Sequence, residues 1–315
     1  MLRTKALRKI LVTTITLFIF VTIYTIKNIQ DENVIDVNLE VEYTNSMPTT
    51  NIYLLNSDNY LVKTEVILTK KDKEKQIEYV LECLKEDNKN TYPKELKGVL
   101  PKDIEILNIK INNKYVTINF SKEFLNINKE IEEKVLESIT YSILNLKEID
   151  GIYLEVEGKL LEELPNSKTK ISYPLNKSIG INKEYNIQNR NDINKTVVYY
   201  LEDIDNTNYY VPVTKYLNSK DDKIKVIIDS LTTSYIYEKN LMSVLNTNLK
   251  LNSYNEEENV FFLDFNSNLY DKNNKILEEV IYSISYSVFD NYDVNSIVFS
   301  VDGKDVKTVF LSDIS

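Results

Sequence analysis

Apolar residues alternate with polar ones over Val116, Ile118 and Phe120, then recur at four-residue steps over Ile131, Val135, Ile139 and Ile143. The first pattern predicts a half-buried strand and the second a helix with one apolar face. The chain then repeats itself. Lys114–Phe120 reappears as Asn259–Phe265, Glu133–Ile143 as Glu278–Val288, and Val156–Lys159 as Val301–Lys304. The offset is 145 positions each time (Phe120 to Phe265, Tyr141 to Tyr286, Gly158 to Gly303), with no gap. Three segments in one register identify an internal duplication of a strand–helix–strand unit.

The rest of each copy follows from the same reading. In the first, Ile52–Leu55 and Leu61–Leu68 predict strands joined by the turn residues Asn56–Asn59. Ile77, Val80, Leu81 and Leu84 predict a helix, with Thr69 or Asp72 available as its cap. Ile104–Ile111 predicts a strand turning back at Asn112-Asn113, and Gly151–Val156 a closing strand. In the second copy Val197–Leu201 answers Ile52–Leu55, and Ile224, Ile227, Ile228 and Leu231 answer the first helix at an offset of 147. The shift places small insertions and deletions in loops. Val309–Leu311 suits either an edge strand or a packed tail.

The expected architecture is therefore α+β: two tandem two-layer modules, residues 51–164 and 196–306, each a mixed sheet packed by two helices. Residues 165–195 are rich in Asn, Lys and Ser with little apolar periodicity and read as a linker, and 307–315 as a tail.

The N-terminal stretch changes the setting. Residues 1–9 carry Arg3, Lys5, Arg8 and Lys9 without an acid, and Ile10–Ile26 is free of charge. Seventeen residues span about 25 Å as a helix, which snorkelling at Lys9 and Lys27 extends toward the ~30 Å hydrocarbon core. No A-x-A cleavage pattern and no lipid-accepting cysteine follows, so the expectation is an uncleaved transmembrane signal anchor with a cytoplasmic N-terminus. Residues 27–50 then form a tether to an extracytoplasmic, single-pass body.

Composition removes several functions. Net charge is −10, which argues against a nucleic-acid partner. There is no histidine, hence neither the commonest general base nor the commonest metal ligand. Cys83, the single cysteine, falls in an apolar helical pattern and excludes an internal disulfide. Five glycines leave no dinucleotide or phosphate-loop fingerprint. Glu202–Asn208 resembles the start of a calcium loop but lacks the sixth-position glycine, so a hairpin turn is expected. The acid pairs Glu132-Glu133, Glu162-Glu163 and Glu256–Glu258 read as solvated charge rather than a glycosidase pair. No catalytic residue, metal site or cofactor is expected.

What remains is a ridge of Ser138, Tyr141 and Ser142, repeated as Ser283, Tyr286 and Ser287. It suits either helix-on-sheet packing or a contact face between copies or subunits. With Tyr209 and Tyr210, these are the candidate interaction residues.

Laid out this way, the duplicated unit resembles the GerMN domain family of sporulation and spore germination. The resemblance rests on the opening strands Ile52–Leu55 and Val197–Leu201, the step Val99-Leu100-Pro101, the strand Val116–Ser121 and the closing Val156–Gly158. The second copy has Asn246 where the first has Pro101, and Asn266 where it has Ser121. The resemblance implies a cell-surface or intermembrane protein of spore formation, similar in fold to ring-building modules of secretion complexes. It implies no enzyme activity and no cofactor. The expected partners are other envelope or sporulation membrane proteins, or a second copy. Two alternatives stand beside it: a peptidoglycan- or glycan-binding module using its tyrosines, and a carboxylate-dependent cell-wall hydrolase.

Overall fold

The computed structural model describes residues 47–87, 92–232 and 240–314. The expected anchor at 10–26 and nearly all of the tether lie outside the described residues. Among those described, no helix is long and apolar enough to cross a membrane. The described residues form one compact unit.

The first copy comprises β1 (Thr49–Leu55), β2 (Leu61–Ile67), α1 (Lys73–Cys83), β3 (Ile106–Asn112), β4 (Tyr115–Phe120), α2 (Glu132–Leu144), β5 (Gly151–Val156) and β6 (Lys159–Leu160). A short β7 (Glu184–Asn186) follows. The second copy comprises β8 (Ile193–Ile204), β9 (Thr207–Asn218), α3 (Lys223–Thr232), β10 (Leu251–Glu257), β11 (Val260–Phe265), α4 (Glu278–Asn291), β12 (Ser296–Val301) and β13 (Lys304–Phe310).

Each copy holds a four-stranded mixed sheet, in the orders β3-β4-β5-β6 and β10-β11-β12-β13. α2 carries the chain from β4 to its parallel neighbour β5, and α4 does the same from β11 to β12. The apolar alternation sets the inner face: Val116, Ile118, Phe120, Ile152 and Leu154 are fully buried, as are Leu263, Phe265, Ile297 and Phe299. Tight turns use left-handed residues where the sequence supplies them, with Gly158 at φ 74° and Gly303 at φ 79° in equivalent places. Asp72 caps α1 by accepting from the Lys75 amide at 3.1 Å. Val309 falls in β13, so the C-terminal apolar run is an edge strand.

The two opening hairpins do not join the mixed sheets of their own copies. They join each other. β2 pairs antiparallel with β9 at Lys63 and Tyr210, giving a sheet that crosses the duplication, β1-β2-β9, with β8 and β7 both on β9. α2 packs on β1, and α3 and α4 pack on β8. Ile52–Leu55 and Val197–Leu201 are buried on both faces, which is why they read as unbroken apolar runs. One apolar core contains residues of both copies.

Residues 165–195, expected as a linker, are built into this core. Leu175 exchanges two backbone hydrogen bonds with Ile152, at 3.0 and 2.9 Å. Ile181 and Asn182 are buried, and β7 adds in parallel to β9. The segment is ordered by hydrogen bonds and a few isolated apolar anchors, neither of which leaves a period in the sequence.

Candidate interaction site at the module junction

Asn182 is the hub of the junction. Its left-handed backbone, φ 49°, turns the side chain into the gap between the copies. Its Nδ2 donates to the carbonyls of Leu61 and Pro212 at 2.8 and 2.7 Å, so one amide spans β2 and β9. Its Oδ1 accepts from the Leu61 amide at 2.8 Å and from Lys134 Nζ at 2.7 Å. Its own amide donates to Glu137 Oε2 at 2.9 Å. Glu137, also buried, takes Lys183 at 3.1 Å. Burial pulls the Lys183 ammonium down, but Glu137 and Glu133 outweigh it and hold it above the usual lysine range. Ile181 and Thr214 close the same seam through two hydrogen bonds of 2.8 Å.

Three of the four serines of the ridge, Ser138, Ser142 and Ser287, dock their helices on the strands. Ser138 Oγ donates to the Tyr53 carbonyl at 2.6 Å, and the Tyr53 amide donates to Ser142 Oγ at 3.0 Å. In the second copy the Tyr199 amide donates to Ser287 Oγ at 2.9 Å, while Ser287 Oγ donates to the Ser283 carbonyl at 2.6 Å. Ser138, Tyr141, Ser142, Ser283 and Ser287 are fully buried. Of the two readings the ridge left open, these five residues take helix-on-sheet packing and not a face open to other molecules: small side chains let the helix approach the strand, and that approach covers them.

From these strands Tyr53 and Tyr199 reach toward one another in the middle of the junction, close enough that each bears on the other's ionisation. The Tyr199 hydroxyl donates to Asp290 Oδ2 at 2.6 Å, and Lys177 Nζ lies 2.6 Å from Asp290 Oδ1. Burial, and then Asp290, push both phenols above the usual tyrosine range. Tyr141 donates to the Lys177 carbonyl at 3.2 Å and packs edge-on against Tyr53.

Tyr286, Tyr210 and Lys63 lie nearer the surface. Lys63 Nζ sits 3.3 Å from the Tyr286 ring centroid and donates to the Ile314 carbonyl at 3.4 Å. Tyr210 meets Tyr286 in a T-shape at 4.9 Å, and Tyr282 lies 6.2 Å from Tyr286. Burial, helped by Lys177, pushes the Lys63 ammonium down to about 7 against the opposing pull of Asp290 and Glu65. Tyr209 is not part of this group. Successive residues of β9 face opposite ways, and Tyr209 turns toward Glu95 and Asp205. Lys63 and Tyr282 were not singled out from the sequence: Tyr282 precedes Tyr286 by one turn of α4, and the pairing of β2 with β9 brings Lys63 to the same place.

The acidic groups lie elsewhere and in structural roles. Glu132 accepts from the amides of Asn166 and Ser167. Glu163 pairs with Lys170 at 3.0 Å on the surface. Asp205 and Asn206 form the left-handed tip of the β8–β9 hairpin. Glu202, its carboxyl raised by burial, accepts from Asn56 at 2.7 Å and ties the two hairpin ends together. Cys83 is buried, and burial raises its thiol. Among the described residues no three acidic or sulfur side chains cluster as a metal ion would need.

Known proteins match this arrangement. A family model, Germane, described as sporulation and spore germination, matches residues 51–162 and again 197–307. The chain is 32% identical over 265 residues to the spore germination protein GerM of Bacillus subtilis, covering 80% of this chain and 71% of that protein. The solved tandem GerMN domains of the sporulation protein GerM from Bacillus subtilis superpose with a TM-score of 0.74 at 29% identity, covering 82% of this chain and 92% of that one.

Proposed function

Since the chain belongs to the Germane family of sporulation and spore germination, matched in both of its repeats, we propose that it is a non-enzymatic assembly protein of the sporulating cell envelope. In this reading residues 10–26 anchor it in a membrane, and the body associates with other envelope proteins or with further copies. The observation that carries the reading is the junction. A shared sheet and a buried seam centred on Asn182 make the two modules one rigid platform, with β3 and β10 as exposed outer edges of its mixed sheets.

In-cell cross-linking during sporulation tests it. Specific cross-linked species are expected in the membrane fraction and only in sporulating cells. A chain recovered uncross-linked, or recovered from the soluble fraction, refutes association or anchoring respectively.

A glycan-binding reading is favoured by one observation. Tyr185 is 66% exposed and stacks on Tyr216 at 4.9 Å, a flat platform of the kind a sugar ring packs on. Retention on isolated cell wall, lost in Tyr185→Ala, would select it.

A further inference from the structure

The tyrosines at the outer end of the junction form a surface whose chemistry specifies an occupant. Tyr210, Tyr282 and Tyr286 are half-buried, each leaving part of its ring to solvent, and they come from β9 and α4. They are brought together with Glu65 of β2 only because the two copies share a sheet. Glu278 and Glu65 are exposed and Glu279 half-exposed. Glu279 and Glu278 act electrostatically on Tyr210, and Glu65 on Tyr286. The patch thus presents aromatic faces inside a rim of carboxylates, on a chain of net charge −10.

Aromatic faces and carboxylates attract the same species, a cation with an apolar stem. The patch already demonstrates that chemistry once, because the Lys63 ammonium sits 3.3 Å over Tyr286. Tyr282 has no such cation over its ring among the described contacts and lies one helical turn from Tyr286, beside Glu278 and Glu279. A guanidinium there would stack on Tyr282 and reach a carboxylate through its planar donors. An acidic or purely apolar partner would bury the rim charges without compensation.

We propose that Tyr282, Tyr210 and the rim of Glu65, Glu278 and Glu279 form a docking surface for an arginine- or lysine-bearing segment of a partner protein. The proposal rests on the association reading and gives it a place and a partner chemistry.

The test uses the full chain and two labelled peptides of equal length, one alternating arginine with glycine and one with glutamate in place of arginine. Fluorescence anisotropy should show saturable binding of the arginine peptide, weakening with salt. Tyr282→Ala and the combined Glu278→Gln, Glu279→Gln variant should each weaken it by about tenfold. Both changes are at solvent-reached positions, and unchanged thermal melting confirms folding. Absence of binding to the wild-type chain, equal binding of the glutamate peptide, or unaltered binding by both folded variants overturns the proposal. The same variants separate it from the association reading: cross-links that persist unchanged in them leave association standing and remove this surface. If the wild-type chain itself yields no cross-link, association fails while the peptides still decide the patch.

Discussion

Replacing Asn182 by alanine should destabilise the body more than any exposed substitution, because one side chain satisfies three buried backbone groups. The Leu61 amide and the Leu61 and Pro212 carbonyls would lose partners held at 2.8, 2.8 and 2.7 Å, and Lys134 would lose its acceptor. An unsatisfied buried polar group costs about 1–3 kcal/mol, and some water entry at the gap relieves part of it, so the three together come to about 3–6 kcal/mol. Alanine must also hold the left-handed φ of 49°, adding about 1 kcal/mol that glycine would not incur. Urea unfolding of residues 47–315 should therefore order the proteins wild type, Asn182→Gly, Asn182→Ala. Losing the contact between β2 and β9 should also split a single transition into two. A loss below about 1 kcal/mol in Asn182→Ala would refute the hub role. Equal losses for the glycine and alanine variants would refute the backbone part of the argument.

Three further outcomes follow from particular residues. Lys63 titrates near 7 in the folded chain, below its ordinary value, so the unfolded chain binds more protons above that pH. Stability should rise from about pH 7 toward pH 10, by at most about 1.4 kcal/mol per unit, and Lys63→Met should flatten the slope and be the more stable protein below pH 7. A wild-type profile flat over that window, or a mutant keeping the slope, rejects the assignment. The Thr140 hydroxyl is fully buried without a hydrogen-bond partner among the described residues. Thr140→Val should leave the melting temperature unchanged or raise it, by up to about 1 kcal/mol in stability, and a clear loss would show that the hydroxyl is paired. A Cβ at Gly98 would lie 2.2 Å from the Lys85 carbonyl oxygen, so Gly98→Ala should cost about 3 kcal/mol in chemical denaturation, and a neutral effect would mean the backbone yields there.

Local periodicity made the elements legible. The alternation at Val116–Phe120 and the helical spacing at Ile131–Ile143 give β4 and α2, and the 145-residue register gives their counterparts. The joining of the copies was not legible, because Lys63 and Tyr210 are about 150 positions apart and edge pairing leaves no mark in either strand. The unbroken apolar runs at Ile52–Leu55 and Val197–Leu201 were the available hint, since only strands covered on both faces tolerate them. Asn182 was hidden for a different reason. A lone asparagine in an Asn-rich segment has the composition of a loop, and its role comes from four partners contributed by three other elements. The tyrosines fared in between: Tyr210 and Tyr286 stood out as residues and meet within the second copy, but the approach of Lys63 to them depended on the unforeseen strand pair.

The pairing of β2 with β9 also bears on how the protein responds to its own abundance. A lone module with an open hairpin edge would find a neighbour only by collision, at a rate set by its concentration. Carrying both modules on one chain makes that encounter intramolecular, with an effective concentration of the order of millimolar for a short connection. The platform should thus form fully at the first molecule made, leaving concentration to govern only the contacts between one chain and the next.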